Sequence, residues 1–400
     1  MQKIINDPVY GFITISDPLL FKVIAHPYFQ RLRRIHQMAL AYLVYPGAVH
    51  TRLHHALGAY HLMSNAIKEL KTKGIDITYE EEVAAQAAIL LHDVGHGPFS
   101  HALEKHIVVG THHEELSLSL MQSMNEEFGG ELDMAIAIFT NKYPKKFLHQ
   151  LVSGQVDVDR MDYLTRDSFF TGVSEGVIGY HRILKMLTVH NGELMVEEKG
   201  IYSIEKFLVA RRQMYWQVYL HKTVLSAEIM LVNLLKRAKL LASSGDRRLA
   251  SGGPLDYFLF DFKGGVSKEM LEKFCLLDDI DCSFAIKRWM NHPDFVLSEL
   301  CKCLLNRRLL KIKLQSEPFE AALLQQKLQY AKDILGIDDE AASYFVFVGE
   351  ADNTMYNMGD DKINIVFKDW SVKDIANIDN PLIHQTISAP IKKFYICSLI

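Results

Sequence analysis

Six of the chain's eighteen histidines fall between His92 and His113. Packing alone would have to seat six costly imidazoles close together, so a polar site is the better account. The centre of this run is Ala88–His101, AILLHDVGHGPFSH, where His92 and Asp93 stand side by side at the end of an apolar stretch. An imidazole offers a neutral nitrogen and a carboxylate a hard, charged oxygen. Together they suit one divalent cation among Fe, Mn, Zn, Ni and Mg without choosing between them. One His-Asp pair is also what a helix ending on a chance histidine would show, so partners are needed from elsewhere in the chain. His55, in His50-x-Arg52-x-His54-His55, and Asp159, in the run Val156–Asp167, are the candidates that complete a mononuclear set.

The elements that must position these residues read as helices. Thr78 and Glu81 have the form of a capping box. Val83, Ala87, Leu90 and Val94 then recur at helical steps until Gly95, Gly97 and Pro98 stop the run. Residues 1–16 alternate as a small hairpin, and from Asp17 a helical pattern continues to Met38. Tyr42–Pro46 reads as an aromatic extended piece, followed by a helix through Leu57–Leu70. Val156, Met161 and Leu164 stripe a helix whose charges, Asp159 among them, must partly point inward. Glu205–Arg237 reads as a single long amphipathic helix. Ser243–Pro254, SSGDRRLASGGP, has the composition of a linker. Beyond it, helical segments near 268–276, 283–291, 293–306 and 318–335 alternate with strand-like runs. Those runs are Tyr257–Phe262, Leu309–Leu314, Tyr344–Val348, Ile363–Phe367 and Phe394–Ser398. The expected fold is mainly α: a helical core over 1–242 with a short N-terminal β-hairpin, a linker over 243–254, and a smaller helical and mixed α/β lobe over 255–400.

Composition narrows the function classes. With 49% hydrophobic and 23% charged residues the chain should fold throughout, and a net charge of −4 argues against a bulk electrostatic binder of nucleic acid. Local basic patches stay open. Five cysteines, all in the last third and irregularly spaced, suit reduced thiols. No apolar stretch approaches the ~20 residues of a membrane span, so the expectation is a soluble, cytoplasmic protein.

The ordered motifs KIINDPVYG, HPYFQRLRRIHQM, YLVYPGAVHTRLHHALG, LLHDVGHGPFSH, THHEE, VDVDRMDYLTRD and YLHK resemble the HD-domain phosphohydrolase superfamily. Within it they are most similar to the deoxynucleoside triphosphate triphosphohydrolases, over about residues 1–240. The resemblance implies that His55, His92, Asp93 and Asp159 hold one divalent metal ion, with further Mg on the substrate phosphates. It implies catalytic roles for His96, His101 and His113, with Glu104 orienting one of them. Arg52, Arg160 and Arg211 fall at phosphate-contact positions, Arg160 standing where relatives often carry Lys. Gln37, Tyr163, Asp167 and Tyr219 match positions that hold the sugar. Tyr215 stands where the vertebrate relative has His, so contacts on the base or phosphate side differ. Lys3, Asn6, Gln30 and Arg33 match a regulatory nucleotide site, although Ala25 replaces the acid that goes with guanine-nucleotide activation.

The expected reaction is water attack at the α-phosphorus of a dNTP, releasing deoxynucleoside and inorganic triphosphate. The expected assembly is a homo-oligomer, a dimer or tetramer. Two alternatives stand beside it: HD chemistry on another nucleotide or phosphoester, and a non-catalytic binder of nucleotides or single-stranded nucleic acid.

Overall fold

The computed structural model describes residues 2–108, 110–353, 362–378 and 391–399, without the side chains of His101, Lys105, Asp352, Asn353 and Ile391. The chain is mainly helical. Its N-terminal hairpin pairs Lys3–Asp7 with Gly11–Ile15 in antiparallel register, and Ile13 and Ile15 enter the core. Asp7 closes the turn by accepting from the backbone of Val9 and Tyr10.

The helical pattern that starts at Asp17 does not run unbroken to Met38. It gives the Pro18–Ala25 helix, capped by the Asp17 carboxylate, and then breaks at His26. Pro27 forces the preceding residue out of the helical region, so His26 is extended at ψ 138°. Tyr42–Pro46 is likewise not extended. Ala41–Leu43 forms a tight helical turn, because the Ala41 carbonyl accepts from the backbone of both Val44 and Tyr45.

Three helices frame the histidine-rich region: Arg52–Thr72, Tyr79–Leu91 and Val158–Thr171. The capping box is present: Thr78 N donates to Glu81 Oε2 (2.8 Å), and Glu81 N donates to Thr78 Oγ1 (3.2 Å). Asp157 caps the third helix through Arg160 N at 2.6 Å, and Gly172, with φ of +75°, ends it in the left-handed conformation.

The segment read as one helix over Glu205–Arg237 is two helices bent by 57°. Ile201–Met214 runs into a π-helical turn at Tyr215–Tyr219, and Lys222–Ser243 resumes after the break. The backbone N–H of Leu220 reaches back five residues to the Tyr215 carbonyl, and His221 Nδ1 accepts from Thr223 N to start the second helix. The Tyr45 hydroxyl holds the turn open by bonding the Gln217 carbonyl.

Two small sheets follow. Leu187–His190 and Glu193–Glu197 form a hairpin across Asn191-Gly192, both at positive φ as a two-residue turn requires. Glu193–Glu197 then pairs in parallel with Asn364–Val366, which pairs with Val372–Asp374. In the other sheet Ile391–Ser398 lies between Lys311–Gln315 and Phe347–Asn353, antiparallel to both. Tyr257–Phe262, read as a strand, is another π-helical turn over Tyr257–Asp261, because its aromatic rings pack on one another and on Phe274. One hydrophobic core extends from Ile13 to Cys397. Leu249, within the glycine- and serine-rich stretch, is fully buried, and its carbonyl accepts from the Trp289 indole. The five cysteines are free thiols. No single described helix is long and apolar enough to cross a membrane.

Candidate metal centre and substrate cavity

Three helices deliver the cluster. His55 lies in the first turn of Arg52–Thr72, His92 ends Tyr79–Leu91, and Asp159 sits in the first turn of Val158–Thr171. One donor atom from each lies within 4.8 Å of the others. His55 Nε2 is 3.4 Å from His92 Nε2 and 3.1 Å from Asp159 Oδ1. Asp93 adds a carboxylate: Oδ1 is 3.3 Å from His92 Nε2, while Oδ2 is 3.7 Å from His55 Nε2 and takes the Arg52 guanidinium.

The histidines are oriented from behind. His55 Nδ1 donates to Asp162 Oδ2 at 2.7 Å, and His92 Nδ1 donates to the Ile89 carbonyl at 2.7 Å. Both Nε2 atoms are thereby turned toward each other and the carboxylates, an arrangement that suits a shared cation. Two nitrogens and two carboxylates form a donor set that fits a divalent transition metal or Mg. Burial disfavours a charged imidazole at His55, but Asp159 and Asp162 outweigh it and push its pKa up to about 10. Burial likewise opposes the charge on Asp159, yet the two histidines hold its carboxyl far below the usual range. The cluster is built for positive charge at its centre.

Asp162 has its own support, and the chain of charges runs on to the hairpin. Arg166 donates Nε and one terminal nitrogen to the two Asp162 oxygens, each at 3.0 Å, and its other terminal nitrogen to Asp7 Oδ2 at 2.8 Å. All three side chains are buried. Gly58 makes room for them. A Cβ there would stand 2.0 Å from Asp162 Oδ1 and 2.1 Å from the Arg166 guanidinium.

A cavity of about 440 Å³ opens beside the cluster. It is lined by Gln37, Arg52, Asp93, His96, His113, Asp159, Tyr163, Asp167, Tyr215 and Tyr219. Glu104 Oε1 accepts from both the backbone and Nδ1 of His113, at 2.9 and 2.7 Å, so the imidazole is held at two points. The His113 ring lies 4.0 Å from that of His96, centroid to centroid. Asp167 accepts from His50 Nε2 at 2.6 Å and from the Tyr219 hydroxyl at 2.8 Å. Burial pushes the phenols of Tyr163 and Tyr219 up, so both are neutral hydroxyls.

Several expected residues lie elsewhere. Arg160 turns its guanidinium to the capping carboxylate of Asp157, and Arg211 donates to Gln155 Oε1 at 3.3 Å; neither lines the cavity. The four residues expected at a separate regulatory nucleotide site do not line this cavity either, as that expectation requires: Gln30 accepts from Arg33, Lys3 sits over the Phe21 ring and Asn6 is exposed. The side chain of His101 lies outside the described residues.

The structure adds residues that the sequence reading passed over. Asp162 shares its helix with Tyr163 and Arg166, and the three-residue step from Asp159 was the available signal for it. Asp279 had none. From the distant Asp279–Trp289 helix it accepts from Phe99 N (2.8 Å), His36 N (2.8 Å) and His36 Nδ1 (2.6 Å). Phe99 and Ser100 are consecutive non-glycine residues at φ of +53° and +50°, a strained turn directly after His96. Ser100 Oγ in turn donates to the His36 carbonyl and accepts from Arg52 Nε.

Residues 52–167 match the HD domain and residues 178–249 the HD associated region. A crystal structure of a phosphohydrolase from Bacteroides thetaiotaomicron superposes over the whole of both chains with a TM-score of 0.95 and 50% identity. The uncharacterized protein YwfO of Bacillus subtilis is 32% identical over 363 residues, 89% of this chain and 81% of that one. The chain belongs to the HD-domain family and is a phosphohydrolase. The Dictyostelium discoideum homolog of the deoxynucleoside triphosphate triphosphohydrolase SAMHD1 is 31% identical over 256 residues. The match covers 59% of this chain and 49% of that protein, so the chain spans about half of its length.

Proposed function

We propose that this phosphohydrolase cleaves dNTPs at the α-phosphorus, yielding deoxynucleoside and inorganic triphosphate. The observation that carries the reading is the single cavity that joins the His55–His92–Asp159 cluster to Arg52, the paired imidazoles and the Tyr163–Asp167–Tyr219 set. His55, His92, Asp93 and Asp159 would hold one divalent ion. When bound, that ion supplies Lewis-acid polarisation of the phosphoryl oxygen and of water.

The chain's own residues do the rest. Arg52, fixed by Asp93 and Ser100, presents a guanidinium to the phosphates. Water adds to phosphorus and the bond to the 5′ oxygen breaks. The departing alkoxide needs a proton, which His113, braced by Glu104, or His101 would give. Asp167, already ordered by His50 and Tyr219, keeps lone pairs for the 3′ hydroxyl. The Tyr163 and Tyr219 rings, 6.1 Å apart and edge to face, would pack against the sugar and disfavour a 2′ hydroxyl.

A second reading, hydrolysis of a nucleotide or phosphoester with fewer phosphates, is favoured by one observation: of the three arginines expected on the triphosphate, only Arg52 lines the cavity. Phosphorus NMR of products separates the two. Protein supplied with Mn, Mg or Fe and each dNTP should release inorganic triphosphate. Orthophosphate or pyrophosphate, or turnover of monoesters alone, would replace the first reading by the second.

A further inference from the structure

We infer that Glu228 reads the base of the nucleotide and favours guanine, an inference that rests on the dNTP reading above. Glu228 lines the cavity one helical turn beyond Val224, on the Lys222–Ser243 helix that follows the π turn. Its carboxylate has no hydrogen-bond or ion-pair partner among the described residues, although every other acidic group lining the cavity is engaged. Asp93 has Arg52, Asp159 has His55, and Asp167 has His50 and Tyr219. A carboxylate facing a binding cavity without a partner calls for a ligand group to satisfy it.

The choice of group follows from charge. A triphosphate would be repelled by Glu228, and the cations and metal ligands of the cavity gather around Arg52, His96 and Asp159 instead. The hydroxyls of a deoxyribose are accounted for by Asp167. The base remains. Apolar walls from Met38, Ala39, Val218, Leu220 and Val224 suit a flat ring. An ionised carboxylate only accepts, and guanine alone offers two adjacent N–H donors, N1–H and the 2-amino group, on one edge. Thymine presents one N–H between two carbonyls, which would face the carboxylate unfavourably. Burial raises the Glu228 pKa to about 7, and two N–H donors from a bound base would favour the ionised form.

The test is kcat/KM for dGTP, dATP, dCTP and TTP, measured on the metal-loaded protein and on Glu228→Gln and Glu228→Ala. Wild type should prefer dGTP to TTP. Glu228→Gln should lower the dGTP:TTP ratio about tenfold, chiefly through KM, and Glu228→Ala should draw the four substrates together. A ratio unchanged in both variants, or an equal loss on all four substrates, overturns the inference and leaves the dNTP reading standing. Failure of wild type to hydrolyse any dNTP overturns that reading, and the inference with it.

Discussion

The two walls of the cavity are built from different materials. One wall, from the Arg52–Thr72, Tyr79–Leu91 and Val158–Thr171 helices, is locked by buried charge: Asp7, Arg166, Asp162, His55 and Asp159 form an unbroken chain of contacts. The other, from the Tyr215–Tyr219 turn, Leu220 and the start of Lys222–Ser243, is aromatic and apolar, and its polar groups facing the cavity are few. The difference divides the labour. Charge fixed at full burial holds reacting groups to a geometry, because moving any member leaves another uncompensated. An apolar, ring-lined surface instead sorts ligands by shape and tolerates exchange.

Substitutions on the first wall should therefore cost most. Asp159→Ala should abolish stoichiometric metal in elemental analysis and lower hydrolysis by more than about a thousandfold. Retention of metal and activity would remove Asp159 from the centre. Gly58→Ala should follow. The added methyl displaces Asp162 and Arg166 from one another, and the loss of a buried pair predicts about 3–5 kcal/mol in denaturant unfolding. Asp279→Ala relaxes the Phe99–Ser100 turn from outside the HD match. It should lower kcat about tenfold with KM little changed, whereas an altered KM alone would show that the turn serves binding.

On the second wall, Tyr219→Phe removes one hydrogen bond from Asp167 and should raise KM about threefold to tenfold while kcat holds. A loss as large as that of Asp159→Ala would end the division between the walls. The smallest expected effect is one of pH. Burial would raise the pKa of Glu81, but Lys145, the Thr78 N–H and Tyr143 hold it below its ordinary 4.5. A depressed carboxyl stabilises the fold above its unfolded pKa and loses that contribution as pH falls. The melting-temperature gap between wild type and Glu81→Gln should thus narrow as pH drops through 4.5 and below.

Local signals in the sequence survive into the structure where the physics is local. The Thr78–Glu81 box starts its helix as written, and the C-terminal helix expected over 268–276 is found as Lys268–Leu276. His55, His92 and Asp159 were legible as one set from their types and order and from the resemblance of the motifs around them, with only His92 marked by a helix end, and the structure brings the three together. What escaped depends on distant partners. The apolar rhythm through Tyr215–Tyr219 is unbroken, and the bend there comes from backbone bonding and from Tyr45, which is far away in sequence. Asp279 is an ordinary first-turn acid until the fold brings Phe99 to it. A run such as Tyr257–Phe262 is too short for periodicity to separate strand from helix. Asn191-Gly192 is the exception, a strong two-residue turn signal that was present and passed over.

The parallel pairing of Val196 with Ile365 has a consequence for how the chain reaches this fold. During synthesis the Leu187–His190 and Glu193–Glu197 hairpin is complete long before its third strand exists. Until Asn364–Val366 emerges, one side of Glu193–Glu197 is an open row of donors and acceptors that another nascent chain can occupy. The last part of the polypeptide thus acts as a closing seam, and versions of the protein cut near residue 254 should be recovered as aggregates.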